Sequence, residues 1–386
     1  MFPRLLKLPG DRSCLLFGAG GTGKRTLVRQ ALPGEATRTY DLADPDTEDR
    51  LARDPLALER EVLGLPAGIR CVVLEEVQRV PPLLEAVRSL MEGRRAPQSF
   101  VLTGSSARMF RAGGANPLAG RAALRLLFPL LRRELGPAWE LERALAFGGL
   151  PEVWNLAGDA ERTEYLRAYA HAYLREQIRA EQAVRRLDPF RRFLQAAARG
   201  SGQILNYSRI AREVGADVKT VQGWYGVLED TFLGFFVAGC RLPVRRQLRQ
   251  AAKFYLFDPG VARALGLLLA VPPEPGTRHH GELFEQLVLA ELHARSAYGN
   301  LDWRFSHLRS RDGVAVDLVL DRPGRPTALV QITGAEQVRE EHGKSLRAFQ
   351  DDFPDAELFL LSRDPRPRRM GRIRALPWEE GLEQFD

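Results

Sequence analysis

The sequence predicts an α/β protein of two or three domains: a parallel sheet, then a helical region, then a second α/β domain. Three observations support this fold class. The chain has 386 residues, and one domain usually takes about 100–200 residues. In the first third, short apolar runs alternate with helical patterns, as in parallel sheets that helices cover on both faces. A Pro- and Gly-rich linker at 271–281 separates the central helices from the last α/β pattern.

The elements of the first third are short. We expect strands at 13–17, 39–42, 71–74 and 99–102, the first of them a short apolar run that ends in glycines. We expect helices at 26–31 and 82–91, because the apolar residues of the second segment recur at helical spacing.

The centre and the end of the chain have different patterns. Helical periodicity predicts helices at 162–185 and 190–198, and two more around Gly215 within 206–230. After the linker we expect helices at 282–295 and 337–349 and strands at 302–306, 315–320, 328–332 and 357–362. The predicted domains are therefore 1–135, 136–270 and 278–386.

The chain is basic, with 56 Lys and Arg against 49 Asp and Glu and a net charge of +7. Only five of the basic residues are lysine. A GC-rich or thermophilic genome explains an arginine bias without any function. The weaker alternative is an anionic partner such as nucleic acid, because guanidinium binds phosphate in a bidentate way. The two explanations are compatible.

The cysteines and the N-terminus favour a cytoplasmic protein. The three cysteines, Cys14, Cys71 and Cys240, are far apart and show neither disulfide nor zinc spacing. No apolar signal segment follows Met1, and no apolar run reaches the ~20 residues that span a bilayer. We therefore expect a reducing compartment and no membrane partner.

The strongest motif is a glycine-rich loop between the first strand and the first helix. Its sequence fits G-x-x-x-x-G-K, in which backbone N–H groups face phosphate oxygens and the lysine reaches the β/γ-phosphates. This pattern predicts a P-loop that binds ATP. The candidate binding residues are Gly18, Ala19, Gly20, Gly21, Thr22, Gly23, Lys24, Arg25 and Thr26.

The residue after the lysine departs from this motif. A Ser or Thr hydroxyl normally binds Mg²⁺ at that position, but here it is Arg25, and Thr26 follows one residue late. Because an arginine cannot ligate a metal, we expect weak magnesium dependence and slow hydrolysis.

Two acids end the strand predicted at 71–74. Glu75 takes the place of the usual aspartate of a Walker B strand, beside Mg²⁺, and Glu76 is placed to polarise a water. The predicted catalytic residues are therefore Glu75 and Glu76, with Glu75 as the metal ligand. Without the P-loop, Glu75 and Glu76 would be interpreted as two solvated acids at the end of a strand.

Polar residues also follow the strand predicted at 99–102. Thr103 and Ser105 lie where a P-loop ATPase senses the γ-phosphate. Arg121 follows in Leu-Ala-Gly-Arg, where it could act as a finger toward the nucleotide of a neighbouring subunit in a homo-oligomer. The alternative for Arg121 is an ordinary surface arginine.

These motifs, in this order, resemble the prokaryotic AAA+ ATPases that carry a C-terminal domain of unknown function. Two later segments match the same family, Gly-Gly-Leu-Pro-Glu at 148–152 and Lys-Phe-Tyr-Leu-Phe-Asp-Pro-Gly at 253–260. The resemblance implies a P-loop NTPase sheet, then a helical winged-helix domain, then an α/β restriction-endonuclease-like domain. It also implies ATP as the ligand.

The middle domain contains a helix-turn-helix pattern around Gly215, which suggests DNA as a partner. The exposed start of the second helix then offers the base contacts, and the basic run at 241–249 offers the phosphate contacts. The same pattern also occurs in protein-contact modules. The candidate DNA contacts are Lys219, Thr220, Gln222, Arg245 and Arg246.

The last domain resembles the PD-(D/E)XK nuclease fold, but with an incomplete motif. Glu285 and Asp317 correspond to its acids, whereas the Glu-x-Lys segment reads Gln331-Ile-Thr333. Because metal-assisted hydrolysis needs anionic ligands and Thr333 carries no ammonium, we expect no nuclease activity. The adjacent His279 and His280 are expected in an exposed loop.

The sequence therefore favours an ATP-binding AAA+-type protein with slow hydrolysis coupled to DNA. The alternative is a non-hydrolysing, nucleotide-dependent scaffold that acts through protein contacts. Arg25 and Glu75 are the residues that favour the alternative.

Overall fold

A computed structural model describes residues 2–10, 12–92, 96–108, 118–180, 187–241, 248 and 250–385, with only the backbone at 173–180 and 187. Its N-terminal sheet has five strands in the order β2-β3-β4-β1-β5, all parallel. The strands are β1 Cys14–Phe17, β2 Thr37–Asp41, β3 Cys71–Glu75, β4 Ser99–Gly104 and β5 Ala123–Leu126. The predicted parallel α/β sheet is therefore confirmed, with β5 as an added edge strand.

Helices cover both faces of this sheet because its central strands are apolar on both sides. Leu15 and Phe17 of β1 pack into one buried cluster, and Cys14 and Leu16 into another on the opposite face. The helices of this region are α1 Lys24–Ala31, α2 Pro45–Arg53, α3 Leu56–Leu63 and α4 Leu83–Met91. Burial on both faces is the physical reason why continuous apolar runs predicted these strands correctly.

The parallel register brings the carboxyl ends of the strands to one edge. Phe17 lies opposite Gly104, and Asp41 lies opposite Glu75. The loops that follow β1, β3 and β4 therefore begin side by side, and this edge carries the candidate site.

The middle of the chain is mainly helical. Gly215 has a left-handed φ of 71°, and the side chain of Asp217 caps the next helix by accepting from Thr220 N. The helices are α5 Arg132–Leu135, α6 Leu141–Phe147, α7 Pro151–Asn155, α8 Asp159–Ala180, α9 Leu187–Arg199, α10 Tyr207–Val214, α11 Val218–Asp230 and α12 Pro259–Leu265. Two helices therefore flank Gly215, as the sequence predicted.

A second sheet of eight strands joins the middle region to the end of the chain, in the order β12-β13-β11-β10-β9-β8-β6-β7. Its strands are β6 Gly234–Gly239, β7 Lys253–Leu256, β8 Arg304–Arg309, β9 Ala315–Asp321, β10 Ala328–Ile332, β11 Glu357–Ser362, β12 Arg368–Met370 and β13 Ile373–Pro377. β6 pairs with β8 across the Pro- and Gly-rich linker, so this linker does not separate two independent sheets.

Three helices complete this region: α13 Arg278–Gly299, α14 Lys344–Phe349 and α15 Trp378–Glu383. The expectation of exposed loop histidines is wrong, because His279 and His280 lie in the first turn of α13. His280 is buried, within 3.3 Å of Glu142 Oε2 and 3.1 Å of Arg363 Nη1, and burial lowers its pKa. Glu142 and Arg363, which are distant in sequence, thus hold His280 in a segment whose Pro- and Gly-rich composition predicted a linker.

The helix predicted at 337–349 is also shorter than expected. A 3₁₀ turn occupies Glu340–Gly343, and α14 begins only at Lys344. Among the described helices, none has the length and apolar composition that a bilayer crossing requires.

Candidate functional site

The loop after β1 has the geometry of a phosphate-binding loop. Gly23 has a left-handed φ of 93°, a conformation that glycine adopts without steric cost, and α1 begins at the next residue. Lys24 Nζ donates to the backbone oxygens of Gly18 at 2.8 Å and Ala19 at 3.1 Å. Burial lowers the pKa of Lys24, and the negative charge of Glu76 opposes that shift. The ammonium is therefore held by its own loop, with an anion nearby.

Three side chains fix the shape of this loop. Thr22 Oγ1 donates to Ala19 O at 2.9 Å, which closes the loop on itself. From outside the loop, Arg4 Nη1 donates to Thr22 O at 2.7 Å and Tyr169 OH donates to Gly20 O at 3.0 Å. Sequence reasoning missed Arg4 and Tyr169, because neither belongs to the glycine-rich motif.

A cavity of about 600 Å³ lies against the loop. Seven of its lining residues were predicted as site residues: Gly20, Gly21, Gly23, Lys24, Arg25, Thr26 and Glu76. Nine others were not predicted: Phe2, Arg4, Leu27, Gln30, Leu130, Pro151, Glu152, Asn155 and Tyr165. The volume suits a ligand of nucleotide size, since ligand cavities usually measure about 300–1,000 Å³.

Arg25 forms ion pairs with two acids at the end of the sheet. Its Nε lies 2.6 Å from Glu75 Oε2, and its Nη2 lies 2.6 Å from Asp41 Oδ2. Burial raises the pKa of Glu75, while the charge of Arg25 works to lower it and that of Asp41 to raise it further. A guanidinium thus lies against the acids that the sequence assigned to a metal.

The donor set does not fit Mg²⁺ in this arrangement. The carboxylates of Glu75 and Asp41 are both engaged by Arg25, and the position that would supply a hydroxyl is Arg25 itself. Thr26 supplies the nearest hydroxyl in the sequence and is exposed on α1. A metal would have to displace Arg25 from both acids.

Glu76 is held by polar side chains of the neighbouring strand end. Its Oε2 accepts from Gln78 Nε2 at 2.6 Å and from Ser105 Oγ at 3.0 Å. Its backbone N–H donates to Thr103 Oγ1 at 3.3 Å. Thr103 and Ser105 therefore orient Glu76, and neither residue lines the cavity.

Arg121 lies away from this cavity. It is exposed just before β5, and its Nη2 forms an ion pair with Glu92 Oε1 at 3.0 Å. The structure therefore does not bring Arg121 to the loop of its own chain.

A turn of the middle region forms one wall of the cavity. Asp258 accepts from Gly149 N at 2.6 Å and from Val261 N at 2.9 Å, so it fixes this turn and caps α12. Gly148 has a φ of 77°, and a Cβ there would lie 2.0 Å from Asp258 Oδ1. The Gly-Gly-Leu-Pro-Glu and Lys-x-Tyr-x-x-Asp segments thus form one structural unit, which places Pro151 and Glu152 against the cavity.

The candidate DNA contacts are only partly described. Lys219 and Gln222 are exposed on the first turns of α11. Thr220 instead donates its hydroxyl to Asp217 Oδ2 at 2.5 Å as part of the helix cap. Arg245 and Arg246 lie outside the described residues.

Two acids of the C-terminal region border a small cavity of about 140 Å³. These acids are Glu285 on α13 and Asp317 on β9. Gln331 Nε2 donates to Asp317 Oδ2 at 2.5 Å, whereas Thr333 does not line the cavity. Within the described residues, no group of three or more His, Cys, Asp or Glu side chains could hold a metal ion.

A lysine from the middle region reaches this acid pair. Lys253 Nζ lies 2.8 Å from Glu285 Oε1, which also accepts from Tyr255 OH at 2.5 Å. Burial works to lower the pKa of Lys253, but Glu285 and Asp317 raise it above its usual value overall. The ammonium that Thr333 lacks is thus supplied from β7, more than seventy residues earlier in the chain.

Three protein-family profiles match the chain in sequence. Residues 10–136 match the AAA domain family. Residues 138–272 match a domain of unknown function (DUF8612), and residues 280–380 match another (DUF4143). The first match and the parallel sheet with its phosphate-binding loop support an AAA+ ATPase-like domain at the start of the chain.

The chain is similar to uncharacterized proteins of Mycobacterium bovis and Mycobacterium tuberculosis. Each is 27% identical over 318 residues, which cover 81% of this chain and 68% of the relative.

Solved structures with a partial likeness include the RuvB Holliday junction branch migration motor of Thermotoga maritima (15% identity, 58% of this chain, 81% of that chain, TM-score 0.28). Another is the DNA clamp loader delta protein of Bacillus subtilis (13% identity, 72% of this chain, 95% of that chain, TM-score 0.25). At these TM-scores we draw no functional conclusion from them.

Proposed function

We propose that this protein binds ATP through its AAA domain and hydrolyses it slowly, with the nucleotide state coupled to DNA. One observation carries the proposal: Arg25 forms ion pairs at 2.6 Å with both Glu75 and Asp41. The residue after the P-loop lysine therefore supplies a fixed positive charge where ATPases of this kind use a metal ligand.

The side chains around the loop have separate roles in binding. The ammonium of Lys24 would exchange its hydrogen bonds to the carbonyls of Gly18 and Ala19 for one to a phosphate oxygen, because a hydrogen bond between two charged groups is stronger. The N-terminus of α1 favours negative charge at the same place. Arg25 offsets one of the two negative charges of Glu75 and Asp41, so these acids repel the phosphates less than they would without it.

Slow hydrolysis follows from the same contacts. ATP supplies the phosphoanhydride bond that the reaction would break. Arg25 offsets charge but cannot act as a Lewis acid, which is one of the ways in which a metal ion lowers such barriers. Glu76, the residue proposed to polarise the attacking water, has its Oε2 engaged by Gln78 and Ser105, which fixes the carboxylate to the neighbouring strand end.

A scaffold that binds nucleotide without turnover is the second candidate. The hydrogen bonds that tie Glu76 Oε2 to Gln78 and Ser105 favour it, together with Arg25 at the metal position. In either case Arg121 is proposed to act on a neighbouring subunit of a homo-oligomer, because it is exposed and far from its own cavity.

DNA binding is proposed through a winged-helix-like unit in the middle region. The exposed Lys219 and Gln222 at the start of α11 and the net charge of +7 support it. The C-terminal region is proposed to be a nuclease-like fold without activity, because Gln331 and Thr333 replace charged residues and Lys253 neutralises Glu285.

The test is ATP turnover by the full chain, with and without DNA. We expect slow wild-type turnover, none in Lys24→Ala, and a faster rate in Arg25→Thr, which restores a hydroxyl and frees both acids. Turnover that is absent in wild type and in Arg25→Thr, while ATP still binds, would favour the scaffold. Fast wild-type turnover with ordinary Mg²⁺ dependence would contradict the assigned role of Arg25.

A further inference from the structure

A second large cavity lies between the middle helices and the C-terminal sheet. It measures about 680 Å³, and its described lining holds four arginines but only one carboxylate, that of Glu213. The arginines are Arg199, Arg209, Arg278 and Arg309. This excess of cations marks a cleft suited to an anionic ligand.

Arg309 is the innermost of these arginines. It lies on β8, is half-buried, and lines both this cleft and the small cavity with Lys253. Its Nε is buried without a hydrogen-bond partner, and the described residues provide no carboxylate in ion-pair contact with it. Since no carboxylate of the described residues pairs with it, this guanidinium keeps its charge available for an anion from outside the chain.

The other arginines lie nearer the rim of the cleft. Arg278 is exposed, and its Nε forms an ion pair with Glu282 Oε1 at 2.8 Å. Arg209 is exposed on α10, the first of the two helices around Gly215. An open rim with exposed cations suits a ligand that continues beyond the cleft, rather than one that is enclosed.

The acids next to the cleft do not oppose such a ligand. Glu285 is paired with Lys253 and accepts from Tyr255, so its charge is largely neutralised. Asp317 accepts from Gln331 and from Ile332 N. Both acids therefore already have partners within the chain, and the arginines of the cleft lining outnumber its one carboxylate, that of Glu213.

We propose that this cleft binds the phosphodiester backbone of a single nucleic-acid strand, with Arg309 contacting one phosphate and Arg278 another. A cavity of this volume holds about one or two nucleotides, which excludes a duplex from its interior. The proposal rests on the DNA-binding part of the proposed function. It places the strand at a surface distinct from Lys219 and Gln222 on α11.

The experiment is a salt titration of oligothymidylate binding to the full chain, followed by fluorescence anisotropy. We compare wild type with Arg309→Gln, Arg278→Gln and the matched control Arg304→Gln, which is exposed on the same strand β8 and does not line the cleft. Each cleft variant should flatten the log–log salt slope by about 0.7, and the pair together should weaken binding about tenfold at low salt. Arg304→Gln should leave the slope unchanged.

The outcomes separate the two proposals. If Arg309→Gln and Arg278→Gln bind like Arg304→Gln while Lys219→Ala weakens duplex binding, the cleft proposal is wrong and the winged-helix proposal stands. If no DNA binds at low salt, the cleft proposal and the winged-helix proposal are both wrong. ATP binding is tested by a separate experiment. If inorganic phosphate competes as well as the oligonucleotide at equal phosphate concentration, the cleft is a site for small anions. The proposal that it binds a nucleic-acid strand is then wrong. Circular dichroism and thermal melting check that Arg309→Gln is folded.

Discussion

Two acid clusters of this protein, one at each end of the chain, contain a basic side chain of the protein itself. At the N-terminal sheet, Arg25 pairs with Glu75 and Asp41. In the C-terminal region, Lys253 pairs with Glu285, near Asp317. In both clusters a basic side chain of the chain itself supplies positive charge beside carboxylates.

The two cations differ in how firmly they are held. The side chain of Arg25 is 44% exposed and borders a cavity of about 600 Å³, whereas that of Lys253 is 11% exposed beside about 140 Å³. Lys253 also contacts Tyr255, at 3.1 Å. An exposed ion pair can rearrange around a ligand, while a buried one is part of the core. The first cluster is therefore suited to binding and the second to stability.

Removal of each cation should separate these roles most clearly. We expect Lys253→Met to lower the free energy of unfolding by about 3–5 kcal/mol, because it leaves buried carboxylates without a counterion. The matched change Arg25→Met should cost less than about 1 kcal/mol, as is usual for partly exposed pairs. Thermal and urea unfolding of both variants measure the difference. Equal losses of stability would show that the two clusters do not differ in the way described.

The phosphate loop should dominate ligand binding at the first cluster. Lys24→Ala removes a charge-assisted hydrogen bond worth about 1.5–3 kcal/mol, so ATP should bind roughly 10–100-fold more weakly. Lys219→Ala, on exposed α11, is the control with the same loss of charge. Calorimetric titration with ATP measures both. Equal affinities for wild type and Lys24→Ala would mean that the loop does not bind the phosphates.

The second cluster should also titrate near neutral pH. Burial, followed by the Glu285 charge, raises the pKa of Asp317 to about 7. A carboxyl whose pKa is raised on folding stabilises the folded state below its unfolded pKa, and this stability is lost as the pH rises through about 7. Wild-type Tm should therefore fall between about pH 4 and 7, and Asp317→Asn should reduce that dependence.

Asp321→Asn provides the control for this pH dependence, because Asp321 is exposed at the end of the same strand, β9. Its melting profile against pH should follow that of wild type. A profile of Asp317→Asn as steep as that of Asp321→Asn would assign the dependence to other groups, such as the buried Glu291, whose pKa burial raises to about 7.

The sequence predicted the first cluster better than the second, for a physical reason. The loop, Lys24 and Glu75 follow apolar strands in a local pattern, and a parallel sheet brings such strand ends together. β6 pairs with β8 across a segment whose composition predicts a linker, and this long-range pairing brings Lys253 next to Glu285. No local periodicity encodes that pairing.

Parts of the first site also depend on distant contacts. Arg4 and Tyr169 hold the loop from segments on either side of the sheet strands, and Glu152 reaches the cavity through the turn that Asp258 fixes. Glu152 had a sequence signal, the Gly-Gly-Leu-Pro-Glu segment, which marks a turn but not its neighbour, whereas Arg4 and Tyr169 had none.

The most direct test of the central claim is the magnesium dependence of ATP affinity. Because Arg25 already pairs with Glu75 and Asp41 and offsets part of their charge, wild type should bind ATP with the same Kd, within about threefold, in Mg²⁺ and in EDTA. Arg25→Thr frees both acids and restores a hydroxyl, so it should bind ATP at least about tenfold more tightly with Mg²⁺ than without it. Wild-type binding that is lost in EDTA would contradict the claim that Arg25 takes the place of the metal.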